Sequence, residues 1–477
     1  MAALLFSVTV VVSSTVGFAE DGTDPRAITA GMELPDESYC DQPYIVVMQD
    51  GTWVCCMTTG GGHEGQGGQH VVATRSTDRG KTWSELIDIE PAADVSASWV
   101  VPLITPSDRI YGFYTYNGDR VHLGRDDTHG WYCYRYSDDG GLTWSERHRI
   151  PMRQTACDTL TVDGRNVQMF WGICKPQIAG DDVYFAFTKL GKYFLEDGEG
   201  WILHSDNILT QSDPDKIHWR MLPEGENGIR HPDYGSVQEE HNIVPLNEKS
   251  GFYCVYRTTL GFPAVSYSRD ACRSWSTPEP MTYADGSTLH QPRACPKLWK
   301  CSNGKYLFWC HNNGGKWFEN RNPAWLCGGI ECDGKILWSQ PEILVYADDP
   351  KLRMSYPDLV EIDGEYWVTE TQKEIARVHR IDSALVRGLW EQVEAVAGDN
   401  PGRVTSKGLL LEVPESSTEG RRTVSVPERC DIAKHGGLSL DFVFDATNLK
   451  PGDRLIDNRD AEGRGFSVSL AGNETLR

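Results

Sequence analysis

The sequence predicts an all-β chain whose main body is a six-bladed β-propeller, followed by the opening strands of a second β domain. Three observations carry this. A turn of the form S-x-D-x-G-x-T-W recurs, a hairpin signature recurs six times, and tryptophans mark the chain at intervals of about 50 to 75 residues, near the size of one four-stranded blade with its loops.

The turn reads Ser76-Thr77-Asp78-Arg79-Gly80-Lys81-Thr82-Trp83 and returns as Ser137-Asp138-Asp139-Gly140-Gly141-Leu142-Thr143-Trp144. A worn copy follows at Ser268-Arg269-Asp270-Ala271-Cys272-Arg273-Ser274-Trp275. Ser and Asp side chains bond nearby backbone amides, Gly accepts a positive φ, and Trp packs the turn onto the strands it joins. Following the tryptophan alone extends the series to Trp219, Trp338 and Trp390. Each mark is preceded by an apolar strand, a polar turn and an aromatic strand. Asp50-Gly51, Asn303-Gly304 and Asp363-Gly364 are the clearest of these turns, since Asp-Gly and Asn-Gly between β-formers signal hairpins.

The chain has 477 residues, long for one compact core but ordinary for a propeller. Residues 1–19 are apolar and uncharged up to Gly17-Phe18-Ala19, which reads as a signal peptide and predicts a secreted or periplasmic protein. No other run has the length of a membrane span. With 68 acidic against 46 basic residues the net charge is −22, which argues against nucleic acid as a partner. The fourteen cysteines show no paired C-x-x-C spacing, so no zinc site is assigned and no cofactor is expected.

The propeller is assigned to residues 26–400. Residues 401–477 read as a linker and an incomplete β domain, in which Gly437–Asp445 and Gly465–Leu470 alternate with a period of two. These strands resemble the start of a laminin-G or concanavalin-like jelly roll. The chain ends before such a sandwich could close, which reads as a fragment of a longer protein.

The turn repeats and hairpins together resemble the sialidase superfamily from about Asp36 to Trp390. Met354-Ser355-Tyr356-Pro357-Asp358-Leu359 is similar to the last-blade segment bearing the sialidase nucleophile, which implies that role for Tyr356. Gln238-Glu239-Glu240-His241-Asn242 is similar to the segment bearing the glutamate that partners it, best matched by Glu240. The resemblance makes Arg257, and less closely Arg321, grips for a substrate carboxylate. A phenol has a pKa near ~10 and is a poor nucleophile until a base takes its proton. A neutral Tyr-Glu pair also approaches an anomeric carbon bearing a carboxylate with less repulsion than a bare carboxylate, and sialidases depart from the two-carboxylate pattern of glycosidases in this way.

Two departures stand out. Where sialidases carry a first-blade arginine, this chain reads Cys40-Asp41-Gln42-Pro43, so a carboxylate replaces a cation. The loop expected to carry the general acid is the glycine-rich Thr58–His70, in which Glu64 or His63 could protonate a leaving oxygen, with Asp41 as third candidate. Trp99, His290 and Arg293 stand at equivalent blade positions, Trp99 offering a face for a sugar, and His241 adjoins Glu240. The reading that follows is an exo-sialidase or a relative acting on another acidic sugar of a glycan. Two alternatives are a propeller polysaccharide lyase, with His241, Tyr356 and Arg257 recast for β-elimination, and a noncatalytic carbohydrate-binding propeller.

Overall fold

The computed structural model describes residues 24–93, 95–193, 195–315 and 317–397, together with the strand segments 5–13, 437–445, 450–457 and 467–469. It divides into two units. One comprises Ala19–Gly408, and the other Met1–Phe18 with Leu409–Arg477. In the second unit Leu5–Ser13 pairs antiparallel with Gly437–Asp445, and Arg454–Asp457 with Ser467–Ser469. Among the described residues no helix is long and apolar enough to cross a membrane.

The larger unit is a propeller of six antiparallel sheets. From the innermost strand outward, blade one is Tyr39–Val47, Trp53–Gly60, His70–Ser76 and Ile87–Glu90, and blade two is Ala97–Ile104, Ile110–Tyr116, Trp131–Ser137 and His148–Ile150. Blade three splits its inner strand into Met169–Trp171 and Gln177–Ala179, both paired with Asp182–Leu190, and continues with Glu199–Ser205 and Arg220–Leu222. Blade four begins at Glu239–Pro245 and Phe252–Arg257, and blade five at Lys297–Lys300 and Tyr306–Cys310.

Blade six is built from Ser355–Ile362, Glu365–Thr371 and Ala376–Ile381, but its outer strand is Met32–Glu33 from the other end of the chain. This pairing closes the ring and covers the outer edge of Ala376–Ile381. Ile28 and Leu34 anchor the closing segment, both buried.

The recurring turns are held as their residue types require. Ser76 Oγ lies 2.8 Å from Asp78 Oδ1 and accepts the Gly80 amide at 2.8 Å, while Thr82 Oγ1 donates to Asp78 Oδ2 at 2.6 Å. The Ser137 copy repeats these bonds, and the worn copy keeps them with Cys272 at φ 64° and Ser274 in place of Thr. Ser84, Ser145, Ser276 and Ser339, each following a marker tryptophan, all accept a backbone amide from a neighbouring strand. Trp338 is therefore a true member of the series.

Trp390 is not. It lies in the helix Ser383–Ala397, where its indole donates to the Tyr306 carbonyl at 2.8 Å and its ring packs on blade five. The sixth sheet needs no such turn, because its outer strand arrives from residues 32–33 and the chain leaves as a helix. All thirteen described cysteines are unpaired thiols, and all but Cys332 are buried.

Candidate active site

Four innermost strands carry the same irregularity. Pairing slips between Asp41 and Tyr44, Ser98 and Val101, Glu239 and Asn242, and Ser355 and Asp358. At these bulges Gln42, Trp99, Glu240 and Tyr356 adopt φ of 51°, 65°, 59° and 47°. Positive φ in residues with a Cβ is uncommon and costs of order 1–3 kcal/mol where the surroundings impose it. A bulge re-aims a side chain that the strict alternation of a strand would send elsewhere. The same strained conformation thus recurs at the bulges of four blades.

Tyr356 and Glu240 meet there. The Tyr356 hydroxyl donates to Glu240 Oε1 at 2.7 Å, and the same oxygen accepts Arg257 Nη1 at 2.5 Å. Arg257 turns its Nε and Nη2 to Glu239 Oε2 at 3.1 and 2.6 Å. All four side chains are buried. Burial, and next the charge of Glu240, hold the Tyr356 phenol well above its ordinary pKa, with Arg257 opposing. The resting tyrosine is thus a neutral phenol, and Glu240 Oε2 has no partner among the described residues.

Arg257 was expected to face a substrate carboxylate, yet its nitrogens are engaged by two glutamates. The cations with unused donors are its neighbours. Arg321 donates to Ser355 Oγ and to the Arg293 carbonyl, both at 2.7 Å, while the Nε atoms of Arg321 and Arg293 are buried without a partner among the described residues. Burial, together with the charges of Arg257 and Arg321, pushes Arg293 down to about 10. A buried guanidinium without full compensation favours an incoming anion.

Across the channel, Asp41 is fully buried and accepts the Tyr39 hydroxyl at 2.8 Å and Lys373 Nζ at 2.5 Å. Lys373 also reaches Glu64 Oε2 at 3.1 Å, and Arg125 pairs with Glu64 Oε1 at 3.0 Å. Burial raises Asp41 to about 6, against the pull of Lys373 and with the charge of Glu64 adding to it. Burial acts on Glu64 in the same sense, but Lys373 and Arg125 outweigh it and hold that carboxyl below its usual range. Lys373 Nζ stands 4.3 Å from the Tyr356 ring centroid, which joins the two halves of the site. Nearby, Lys175 bonds Asp358 at 2.7 Å and Lys297 Nζ lies 4.0 Å from the Tyr44 ring centroid.

Other expected residues have different places. His241 follows the bulge and so points away from it. Its ring nitrogens lie 3.0 Å from Thr188 Oγ1 and 3.1 Å from the Ile229 carbonyl, its ring stacks on Tyr256, and burial pushes it down to about 3. It is a neutral wedge between blades three and four. Trp99 does flank Tyr356, with ring centroids 6.1 Å apart, but it stacks on Trp171 and bonds the Asp127 carbonyl, so it walls the site without offering a free face. His63 and His290 are exposed, and no side-chain hydrogen bond ties either to the channel groups.

Sequence reasoning passed over Lys373, Arg125 and Glu239. A usable signal existed for Lys373. Its turn joins the second and third strands of blade six, the counterpart of the blade-one loop that carries Glu64. Among the described residues no cluster of His, Cys, Asp and Glu could hold a metal ion.

No family model and no curated protein matches the chain. Solved structures do resemble it in fold. A Hadza microbial sialidase shares 15% identity at a TM-score of 0.52, covering 73% of this chain and 67% of that one. The intramolecular trans-sialidase of Ruminococcus gnavus shares 14% at 0.51, covering 78% and 98%. A protein of unknown function from Dyadobacter fermentans shares 13% at 0.54, covering 74% and 97%. In fold, this chain is a six-bladed β-propeller of the sialidase type.

Proposed function

We propose that the protein is a retaining glycoside hydrolase that removes a terminal acidic sugar from a glycan, an exo-sialidase or a relative with altered substrate. The observation that carries this reading is the 2.7 Å hydrogen bond from Tyr356 to Glu240, made between two strained bulges on separate blades. Tyr356 Oη attacks the anomeric carbon as its proton passes to Glu240, and Arg257 steadies the glutamate. Asp41, raised to about 6, is the general acid that protonates the leaving oxygen. Arg293 and Arg321 receive the acidic group of the sugar. The apolar, uncharged residues 1–19 support export to where such glycans are met.

The test is product release from a panel of sialosides and other acidic glycans, wild type beside Tyr356→Phe, read by mass spectrometry. A free sugar formed by wild type alone supports the hydrolase and identifies its substrate. Unsaturated fragments would point to elimination instead, and binding without product would leave a carbohydrate-binding propeller. The lyase reading has lost one of its groups, since both nitrogens of His241 are engaged.

A further inference from the structure

We propose, resting on the glycosidase reading above, that Lys373 is a positioning residue that joins Asp41 and Glu64 into one unit holding a single exchangeable proton, and so decides which carboxyl delivers it. Its ammonium lies 2.5 Å from Asp41 Oδ2 and 3.1 Å from Glu64 Oε2, and 4.3 Å from the ring centroid of Tyr356. An ammonium has three donors, so one group spans both carboxylates without leaving either.

The backbone that presents Lys373 is built for the purpose. Its amide donates to Thr371 Oγ1 at 2.9 Å, and its carbonyl accepts the Cys40 amide at 2.9 Å. Thr371 Oγ1 in turn donates to the Cys40 carbonyl at 2.7 Å. The blade-six turn is thereby locked to the residue preceding Asp41. Lys373 also sits at φ 79°, a conformation that a side-chain-bearing residue holds only when its surroundings impose it. Exposure follows the same geometry, from none at Asp41 to 18% at Lys373 and 29% at Glu64, so the shared unit stands between the reacting tyrosine and solvent.

The charged and titratable groups around the unit come from several blades. Asp41 faces Tyr39 on its own strand, Lys373 from blade six, Glu64 from the blade-one loop and Tyr356 across the channel. Glu64 faces Lys373, Arg125 from blade two and, at longer range, Arg321 from blade five. Two cations, Lys373 and Arg125, hold Glu64 below its usual range although Arg125 is shared with Asp127, while Asp41 has Lys373 alone and burial raises it to about 6.

In the first step the glycosidic C–O bond breaks, the Asp41 proton passes to the departing oxygen, and Tyr356 Oη bonds the anomeric carbon as its own proton moves to Glu240. The Asp41 carboxylate that results lies against the Lys373 ammonium, which compensates the new charge. Water then attacks the anomeric carbon, returning a proton to Asp41, and Glu240 gives its proton back to the released tyrosine.

The test uses the full chain with Lys373→Met and Lys373→Arg. Asp41 is titrated by carboxyl carbon NMR and assigned by the signal lost in Asp41→Asn. In Lys373→Met the Asp41 titration is expected to move up by more than ~1 pH unit, and in Lys373→Arg to stay near the wild type. An unmoved titration in Lys373→Met overturns the proposal. Kinetics on the glycan that wild type cleaves supply the second readout. Lys373→Met should lose ~10-fold or more on a poor leaving group, whose departure leaves the Asp41 carboxylate uncompensated, and markedly less on a 4-nitrophenyl glycoside, which needs no acid. Equal loss on both substrates, or no rescue by arginine, also overturns it. If wild type cleaves no glycan, the glycosidase reading fails by itself, and the titration still decides whether Lys373 couples the two carboxyls.

Discussion

The roles proposed for Tyr356 and Asp41 each rest on single atoms, and each makes a prediction. Replacing Tyr356 by Phe removes one oxygen and leaves the ring against Trp99, so the fold should hold while turnover falls by more than ~10³-fold in a product-release assay. Asp41 must carry its proton to act, and its pKa is raised to about 6 by burial. The rate kcat/KM should therefore be high below pH 6 and fall as pH rises through it. Asp41→Asn should abolish that limb of the pH profile, and a limb unchanged in this variant would assign the acid elsewhere.

At the scale of the element, the turns and the bulges have opposite characters. The turns satisfy their own polar groups locally. Gly80 takes φ 79°, and the Ser76 hydroxyl serves both the Gly80 amide and Asp78. Ser76→Ala leaves that buried amide without its partner and should lower stability by ~1–2 kcal/mol in thermal or denaturant unfolding, with activity retained at permissive temperature. The bulges instead concentrate strain at Gln42, Trp99, Glu240 and Tyr356. No residue type announces a bulge, because it arises from how an inner strand slips against its neighbour. The turns were legible in the sequence for the contrary reason, since each is a local solution written in eight adjacent residues.

The whole molecule depends on closure of the ring. Met32–Glu33 completes blade six, and Leu34 beside it packs into the apolar cluster that holds Trp53 of blade one and Trp367 and Val378 of blade six. Leu34→Ala should cost ~2–5 kcal/mol, an effect on global unfolding far larger than its place near the start of the propeller suggests. The helix Ser383–Ala397 closes nothing. It packs on blade five through Val386, Leu389, Trp390 and Val393, which is why a tryptophan at blade spacing proved not to mark a blade.

By itself the sequence determined the propeller and its repeating turns, because strand alternation and turn chemistry are properties of neighbouring residues, whereas the pairing of Tyr356 with Glu240 was implied by the resemblance to sialidases. Tertiary structure decided the rest of the site. Arg257 was legible as a cation but not as one already held by Glu239 and Glu240, and Asp41 was legible as a misplaced carboxylate but not as one compensated by Lys373, 332 residues further along the chain. Charges separated by hundreds of residues set one another's protonation only when folding brings them within a few ångströms and takes away the water between them.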